Sequence, residues 1–409
     1  MQHRPLVLRR ALRLRALEAH RGRARAAAEV SCLDTEAAFA GLGMEWNRLH
    51  ARARGATIFN AWLWQYQWWR VYGGGRPLRV LVARKAGEVT GILALYVGEE
   101  TAFGRPVRAL RLVGTGADTH PDDLGPVVDP DDERDTARAL ARAAVALADG
   151  DLLLVSDLDP RAPFTEELEL AARLAGRPLT RGRTERIAYI RLPDSWPQYL
   201  ASLSANRRAD IRRARRRLAA HHATRFRVWD DGARLGAATR LLADLHRRRW
   251  ASAGGSEAFA SPQYLAFHGA IIRSSFARGW LRLYCLEIDG AMAAMLYCYR
   301  FRNRVFLMQG GFDPAWSAWK PGTVLLSHAI EHAIGEGNEV FDFLRGEHRY
   351  KDHLASGSRE TVYVTAFRRS LLCLAFALRP SYIPMRRNSL PARARRWLRR
   401  ALRMEPCAC

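Results

Sequence analysis

Apolar residues recur at helical spacing between Thr35 and Leu49, where Phe39, Leu42, Trp46 and Leu49 share one face, and this predicts an amphipathic helix. The stretch Phe59 to Trp69 holds Trp62, Trp64, Tyr66, Trp68 and Trp69, too many large rings for a single stripe. It predicts a helix buried on several sides, with its aromatics serving as core rather than as a ligand platform. Strand patterns follow at Leu78 to Ala83, Val89 to Val97 and Val107 to Val113, the first two joined by a turn at Gly87. A helical pattern from Asp131 to Ala148 and an apolar strand, Leu152 to Ser156, complete one α/β unit.

The order then repeats. Leu281 to Gly290 matches Leu78 to Gly87 at an offset of 203 residues, and both read as a strand entering a tight glycine turn before a second long strand, here Ala291 to Phe301. A helix over Pro262 to Ala277 takes the place of the aromatic helix. Downstream come a strand Val305 to Gln309, a helix Gly322 to Gly335 and a strand Glu339 to Leu344. The repeat predicts two similar domains, residues 29–190 and 191–370, joined across Arg181 to Pro197 and flanked by a basic arm (1–28) and a basic tail (371–409).

Candidate chemistry concentrates in the second unit. A strand ending in Gln309-Gly310-Gly311 leads through a loop to Lys320-Pro321-Gly322-Thr323, where a helix begins. A helix N-terminus after a strand offers unpaired N–H groups and the positive end of a dipole, which suits a pyrophosphate, and Lys320 adds charge. An ordinary Pro-Gly helix start accounts for the same residues. Asp342 lies between Phe341 and Phe343, so its carboxylate is expected to be enclosed and to need a cation, with Arg345 and Lys351 nearest in sequence. A catalytic base and a structural Asp-Arg pair both fit. Glu347 and Tyr350 follow the strand, at the end where open α/β sheets bind ligands. No Ser-His-Asp or Cys-His spacing points to a covalent intermediate, so direct attack by an amine or hydroxyl is expected. In that scheme Asp342 or Glu347 is the base, Gly310 and Gly311 N–H groups steady the oxyanion, and Tyr350 protonates the leaving group. His246 and His268 read as packing residues.

Charge changes the picture more than composition does. The 409 residues are 48% hydrophobic and carry a formal charge of +24, enough core material to exclude a disordered chain. Residues 1–25, 207–217 and 379–409 account for 21 of those charges, so the rest is close to neutral. Such blocks attract polyanions, and the helix expected over residues 203–220 is basic round most of its circumference. A solvated surface is the plainer reading of each. The tail Ser381 to Arg403 reads as a frayed segment or as a weak amphipathic helix for an anionic membrane. The N-terminal stretch lacks the pattern of a secretory signal, and its arginines suit a basic arm or a mitochondrial presequence. The longest apolar runs, Ala291 to Tyr299 and Leu371 to Leu378, are too short to span a bilayer. Six cysteines form neither a C-x-x-C pair nor a metal spacing, which points to a reducing cytosol.

The succession of the Asp289-Gly290 turn, Gln309-Gly310-Gly311, Trp319-Lys320-Pro321-Gly322-Thr323, Phe341-Asp342-Phe343-Leu344-Arg345-Gly346 and Tyr350-Lys351 resembles the GNAT acyltransferase superfamily. It is most similar to the bacterial CelD-like branch related to the FemABX aminoacyltransferases. The resemblance runs from Thr35 to Arg368, with its specific motifs in the second domain. It implies an α/β fold of tandem GNAT-like domains, each a mixed, mostly antiparallel twisted sheet flanked by helices. It also implies that Gln309, Gly310, Gly311, Lys320, Gly322 and Thr323 hold acetyl-CoA or another acyl-CoA, without a metal, and that Asp342, Glu347, Tyr350, Arg345 and Lys351 surround the chemistry. The usual Arg/Gln-x-x-Gly-x-Gly/Ala signature is absent. The implied activity is acyl transfer to an amine or hydroxyl of a small molecule, saccharide or cell-envelope precursor, in the cytoplasm or at the inner face of the membrane. FemABX relatives use aminoacyl-tRNA instead, and a non-catalytic binding module is the third alternative. The basic helix and tails are the expected contacts for an anionic partner such as tRNA, a carrier or a membrane surface.

Overall fold

A computed structural model describes residues 27–102, 105–148, 152–251, 258–346 and 348–368. The two basic termini, and Glu347 among the candidate residues, lie outside the described residues. In the first half, strand β1 (Glu29–Leu33) leads to helices α1 (Glu36–Gly41), α2 (Gly43–Arg52) and α3 (Trp62–Tyr72). Strands β2 (Leu78–Lys85), β3 (Glu88–Ala102), β4 (Arg105–Leu112) and the short β5 (Val127–Val128) follow, then helix α4 (Glu133–Leu147), strand β6 (Leu152–Leu158) and helix α5 (Pro163–Leu174). The second half comprises β7 (Leu179–Arg191), α6 (Trp196–Ser202), α7 (Ala205–His221), β8 (Thr224–Val228), α8 (Leu235–Ala251), α9 (Pro262–Ala277), β9 (Leu281–Ile288), β10 (Ala291–Phe301) and β11 (Arg304–Phe312). It ends with α10 (Pro321–Gly335), β12 (Val340–Asp342), α11 (Arg349–Asp352) and β13 (Gly357–Phe367).

Local chemistry explains several of these elements. Thr35 caps α1 by accepting a hydrogen bond from Ala38 N (3.2 Å). Helix α3 buries Leu63, Trp64, Gln65, Trp68, Trp69 and Tyr72, which makes it core as its composition predicts. Both hairpins at the 203-residue offset turn through two left-handed residues, Ala86-Gly87 (φ 48° and 82°) and Asp289-Gly290 (φ 49° and 79°). That geometry matches the twist of the strands it joins.

The strands form one sheet in the order β1-β2-β3-β4-β6-β13-β7-β12-β11-β10-β9-β8, with β5 paired to β3. Pairing is antiparallel except for β4 with β6 and β11 with β12. The region expected to link two domains is mostly strand instead: β7 sits inside the sheet, between β13 and β12. The C-terminal β13 in turn pairs with β6 of the first half. Apolar residues at the junction would lose their cover if the halves separated, because Trp64 of α3 packs on Phe267 and Tyr299 and Phe59 packs on Phe306. The Arg302 guanidinium also donates to the carbonyls of His50, Ala51 and Ala53 at the end of α2 (2.6 to 2.7 Å).

Candidate active site

The site begins where two parallel strands part. β12 pairs with β11 only over Arg304–Phe306, and beyond that point β11 keeps β10 as its strand neighbour. The divergence opens into a cavity of about 450 Å³. Its floor is Ala294, Leu296, Leu307, Gly311 and Phe312 of the sheet, and one wall is α10. Trp196, Tyr199, Arg207, Asp210 and Ile211 of α6 and α7 form the opposite wall, and Arg249, Tyr350 and Leu354 complete it.

The start of α10 faces this space through Lys320, Pro321, Gly322 and Thr323. Lys320 adopts the left-handed conformation (φ 53°), an uncommon choice for a residue with a side chain and one associated with functional sites. Its carbonyl accepts from Thr323 N and Val324 N, which leaves Gly322 N–H without an intrahelical acceptor. A Cβ built on Gly322 would meet Phe312 Cδ1 at 3.5 Å, an ordinary contact, so packing alone does not require glycine there. Lys320 and Arg207 share Asp210, at 2.6 and 3.7 Å. Arg249 is half-buried, stacked against Trp250 and Phe312, with no carboxylate in ion-pair range among the described residues. Burial lowers its pKa, with Tyr350 opposing the shift. Three cations and a helix N-terminus thus converge on one mouth, which suits a phosphorylated ligand.

The paired glycines serve packing as well. A Cβ on Gly311 would fall 2.3 Å from His246 N, and one on Gly310 would fall 2.5 Å from Leu296 Cδ2. The missing Cβ at Gly311 lets α8 cross β11 closely, that at Gly310 makes room for Leu296 of β10, and the Nδ1–H of His246 donates to the Gly310 carbonyl (3.0 Å). Gln309 is a hydrogen-bond partner of Tyr264 on α9 and is not among the cavity residues.

Of the residues proposed to surround the chemistry, the structure brings Tyr350 to the cavity and places three others elsewhere. Burial raises the Tyr350 phenol above its usual pKa, opposed by the Arg249 charge, so it stays protonated at neutral pH. Asp342 is enclosed as expected, yet its partners are neither Arg345 nor Lys351. Arg359 donates to its Oδ2 through Nε (3.1 Å) and Nη2 (3.0 Å), Leu344 N donates to Oδ1 (2.8 Å), and Arg304 lies at 3.9 Å. Arg345 pairs across the junction with Asp157 (2.9 Å) and Asp122 (3.5 Å) of the first half. The Lys351 ammonium donates to the carbonyls of Phe343, Leu344 and Arg345 (2.7 to 3.0 Å) and holds the turn after β12 in which Leu344 is left-handed. Asp210 and Arg249 are cavity residues that sequence reasoning missed, and Arg207 was read there only as one member of a basic helix. The His246-Arg-Arg-Arg-Trp250 run was the available signal, but only the crossing of α8 over β11 shows which arginine turns inward.

Helix α7 is less uniformly basic than its composition implies. Ile211, Ala214 and Leu218 form a buried stripe, Arg215 reaches Glu331 and His328, and Arg212, Arg213 and Arg216 are exposed. A second cavity, about 430 Å³, lies at the junction of the halves beside Asp123, Leu124, Arg304 and Arg359, and holds none of the expected site residues. No group of three His, Cys, Asp or Glu placed to hold a metal occurs among the described residues. Nor is any described helix long and apolar enough to cross a membrane.

Residues 205–352, from α7 through α11, match the family described as Acetyltransferase (GNAT) domain. This part of the chain is similar to a GNAT domain. The whole described fold is similar to the crystal structure of FemX, at 11% identity and a TM-score of 0.57, covering 82% of this chain and 96% of that one. It is also similar to a conserved protein of unknown function from Bacteroides thetaiotaomicron VPI-5482, at 12% identity and a TM-score of 0.55, covering 83% and 100%. A tandem GNAT protein from the clavulanic acid biosynthesis pathway aligns at 14% identity and a TM-score of 0.44, covering 84% and 100%. No curated protein sequence matches the chain. The architecture is a mixed, mostly antiparallel sheet flanked by helices and shared by two halves of similar plan.

Proposed function

We propose that the protein transfers an acyl group from acyl-CoA to an amine or hydroxyl of a small molecule, saccharide or cell-envelope precursor, in the cytoplasm or at the inner face of the membrane. The observation that carries this reading is the cavity at the parting of β11 and β12, with Gly322 N–H, Lys320, Arg207 and Arg249 at its mouth. The pyrophosphate sits against the start of α10 and the thioester lies near Tyr350. The acceptor's nitrogen or oxygen attacks the thioester carbon and gives its proton to Glu347, since both oxygens of Asp342 are already engaged. Charge gathers on the carbonyl oxygen, then the C–S bond breaks and the Tyr350 hydroxyl protonates the departing thiolate.

A second reading, transfer from aminoacyl-tRNA, is favoured by the exposed Arg212, Arg213 and Arg216 on α7, beside the same cavity. Calorimetric titration of the full chain with CoA, acetyl-CoA and aminoacyl-tRNA separates the two. The acyl-CoA reading expects CoA to bind and a Tyr350→Phe variant to keep that affinity while turnover falls ~100-fold. Binding of aminoacyl-tRNA with none of CoA overturns it. Binding of neither donor leaves a module without catalysis.

A further inference from the structure

A further cation stands just outside the donor cavity. Helix α7 lines the cavity with Arg207, Asp210 and Ile211, and its C-terminal half packs beside the 3₁₀ turn Pro314–Trp319 that leads into Lys320. Arg217 follows Asp210 by two helical turns, on the same face of α7. Its guanidinium lies over the Trp319 ring, 4.5 Å from the centroid, and Nη1 donates to the Ala318 carbonyl (3.3 Å). His221 and His222 pack against the same ring, 5.3 and 4.4 Å between centroids, and hold the indole in place. Arg212 and Arg216, exposed on the same helix, have no such hold among the described residues. Arg217 has no carboxylate in ion-pair range among the described residues, and most of its five N–H donors remain for a ligand.

Resting on the acyl-CoA reading above, we propose that Arg217 holds the 3′-phosphate of the donor, so that the protein takes a free CoA thioester and not a phosphopantetheine arm on a carrier protein. CoA carries its charge in two places, the diphosphate and the 3′-phosphate on the ribose. With the diphosphate against Lys320 and Gly322 N–H, the pantetheine arm takes the apolar walls beyond Thr323 and the adenosine end leaves by the mouth. The 3′-phosphorus and the nearer diphosphate phosphorus are six bonds apart across the ribose, about 7 Å when extended. Arg217 is anchored at Ala318, two residues before Lys320, and two residues of chain span at most about 7 Å. The anchored guanidinium and the mouth are therefore separated by a distance that the two phosphate groups can bridge. A guanidinium stacked on an indole keeps its donor edge oriented, which suits paired phosphate oxygens. Carrier-bound phosphopantetheine has a single phosphodiester and would leave Arg217 facing water.

Calorimetric titration of the full chain with CoA and 3′-dephospho-CoA tests this. CoA is expected to bind about tenfold more tightly, the worth of one charge-assisted pair, and the difference is expected to shrink as salt is raised. In Arg217→Gln the two are expected to bind within about twofold of each other, with dephospho-CoA affinity as in the parent. Arg217 is exposed and glutamine keeps part of the alkyl stem against Trp319, so this variant is expected to fold. Equal affinities in the parent overturn the assignment of Arg217 and leave the acyl-CoA reading standing. A CoA preference that survives in the variant also overturns it, because the 3′-phosphate then lies elsewhere. An equal loss of both ligands in the variant gives Arg217 a structural role in the loop and likewise overturns the proposal. Failure of both ligands to bind the parent overturns the acyl-CoA reading as well.

Discussion

Each half of the molecule has one pair of parallel strands, and the two pairs have different fates. In the first half β4 and β6 run together over Ala109–Arg111 and Leu152–Leu154. Beyond them the chain fills its own gap: Leu124 bridges to Leu158 in parallel, its N–H donates to the Asp157 carbonyl (2.8 Å), and both leucines are buried. In the second half β11 and β12 run together for the same three-residue length, then part, and no described segment enters between them. The following helices differ in the same sense. Helix α4 carries Glu133 and Asp135 in its first turn, where they occupy the positive end of the dipole, whereas α10 has no acid there and is preceded by Lys320. One framework therefore yields a unit whose parallel strands are bridged by Leu124, with the second cavity beside it, and a unit whose parting strands no described segment bridges, according to whether the connection after the first parallel strand returns to them.

This comparison can be broken in several places. Removing the Asp342 charge should produce the largest effect on stability: Asp342→Asn leaves Arg359 with one fewer anion in a buried network and is expected to cost about 3 to 5 kcal/mol by denaturant unfolding, with normal turnover in the folded protein. A ~100-fold fall in turnover of folded protein would instead restore Asp342 as the base. Leu124→Ala truncates the bridge of the first unit and is expected to cost about 2 to 4 kcal/mol without changing donor affinity. Weakened donor binding there would show that the bridged unit also serves the ligand. Gly322→Leu makes the reciprocal change, with an expected donor affinity loss of ~50-fold and a melting temperature close to the parent's. Donor binding undiminished in that variant would remove the start of α10 from the site.

A smaller effect concerns pH. Burial raises Asp122 to about 7 and Asp123 to about 6 at the junction between the halves, even though Arg345 and Arg359 pull them down. Their native pKa values thus exceed the unfolded value of about 4, so the folded state binds more protons across that interval and stability falls as pH rises from about 4 to 7. Replacing Asp122 with Asn should flatten this slope, making the variant relatively more stable at pH 7.5 than at pH 4.5. A parallel pair of melting-temperature profiles would refute the assignment. The smallest effect is expected on α7, where Arg212, Arg213 and Arg216 all changed to Gln should leave CoA affinity within about twofold. A large loss, steeply dependent on salt, would draw these exposed residues into donor binding.

The elements near the site were largely legible because their signals are local. The glycine turn at Asp289-Gly290, the start of α10 after Lys320, and the apolar strand around Phe341 each depend on neighbours a few residues away. Enclosure of Asp342 could also be read from its flanking phenylalanines. Its partner could not, since Arg359 arrives on β13, seventeen residues downstream, through strand pairing rather than sequence proximity. The strand at the expected junction was hidden for a related reason: Leu179–Arg191 is arginine-rich, and its place inside the sheet depends on β13 and β12 pairing on either side.

Sequence alone therefore determined the repeated α/β plan, the aromatic core helix and the position of the helix N-terminus in the second half, because hydrophobic period and turn chemistry act over short distances. Tertiary structure decided which carboxylates and arginines pair, which of the clustered arginines turns inward and which of the two strand partings stays unbridged. Those outcomes depend on long-range register and on which surfaces meet, and a buried charge takes its partner from whatever the fold brings within a few ångströms rather than from the nearest residue in the chain.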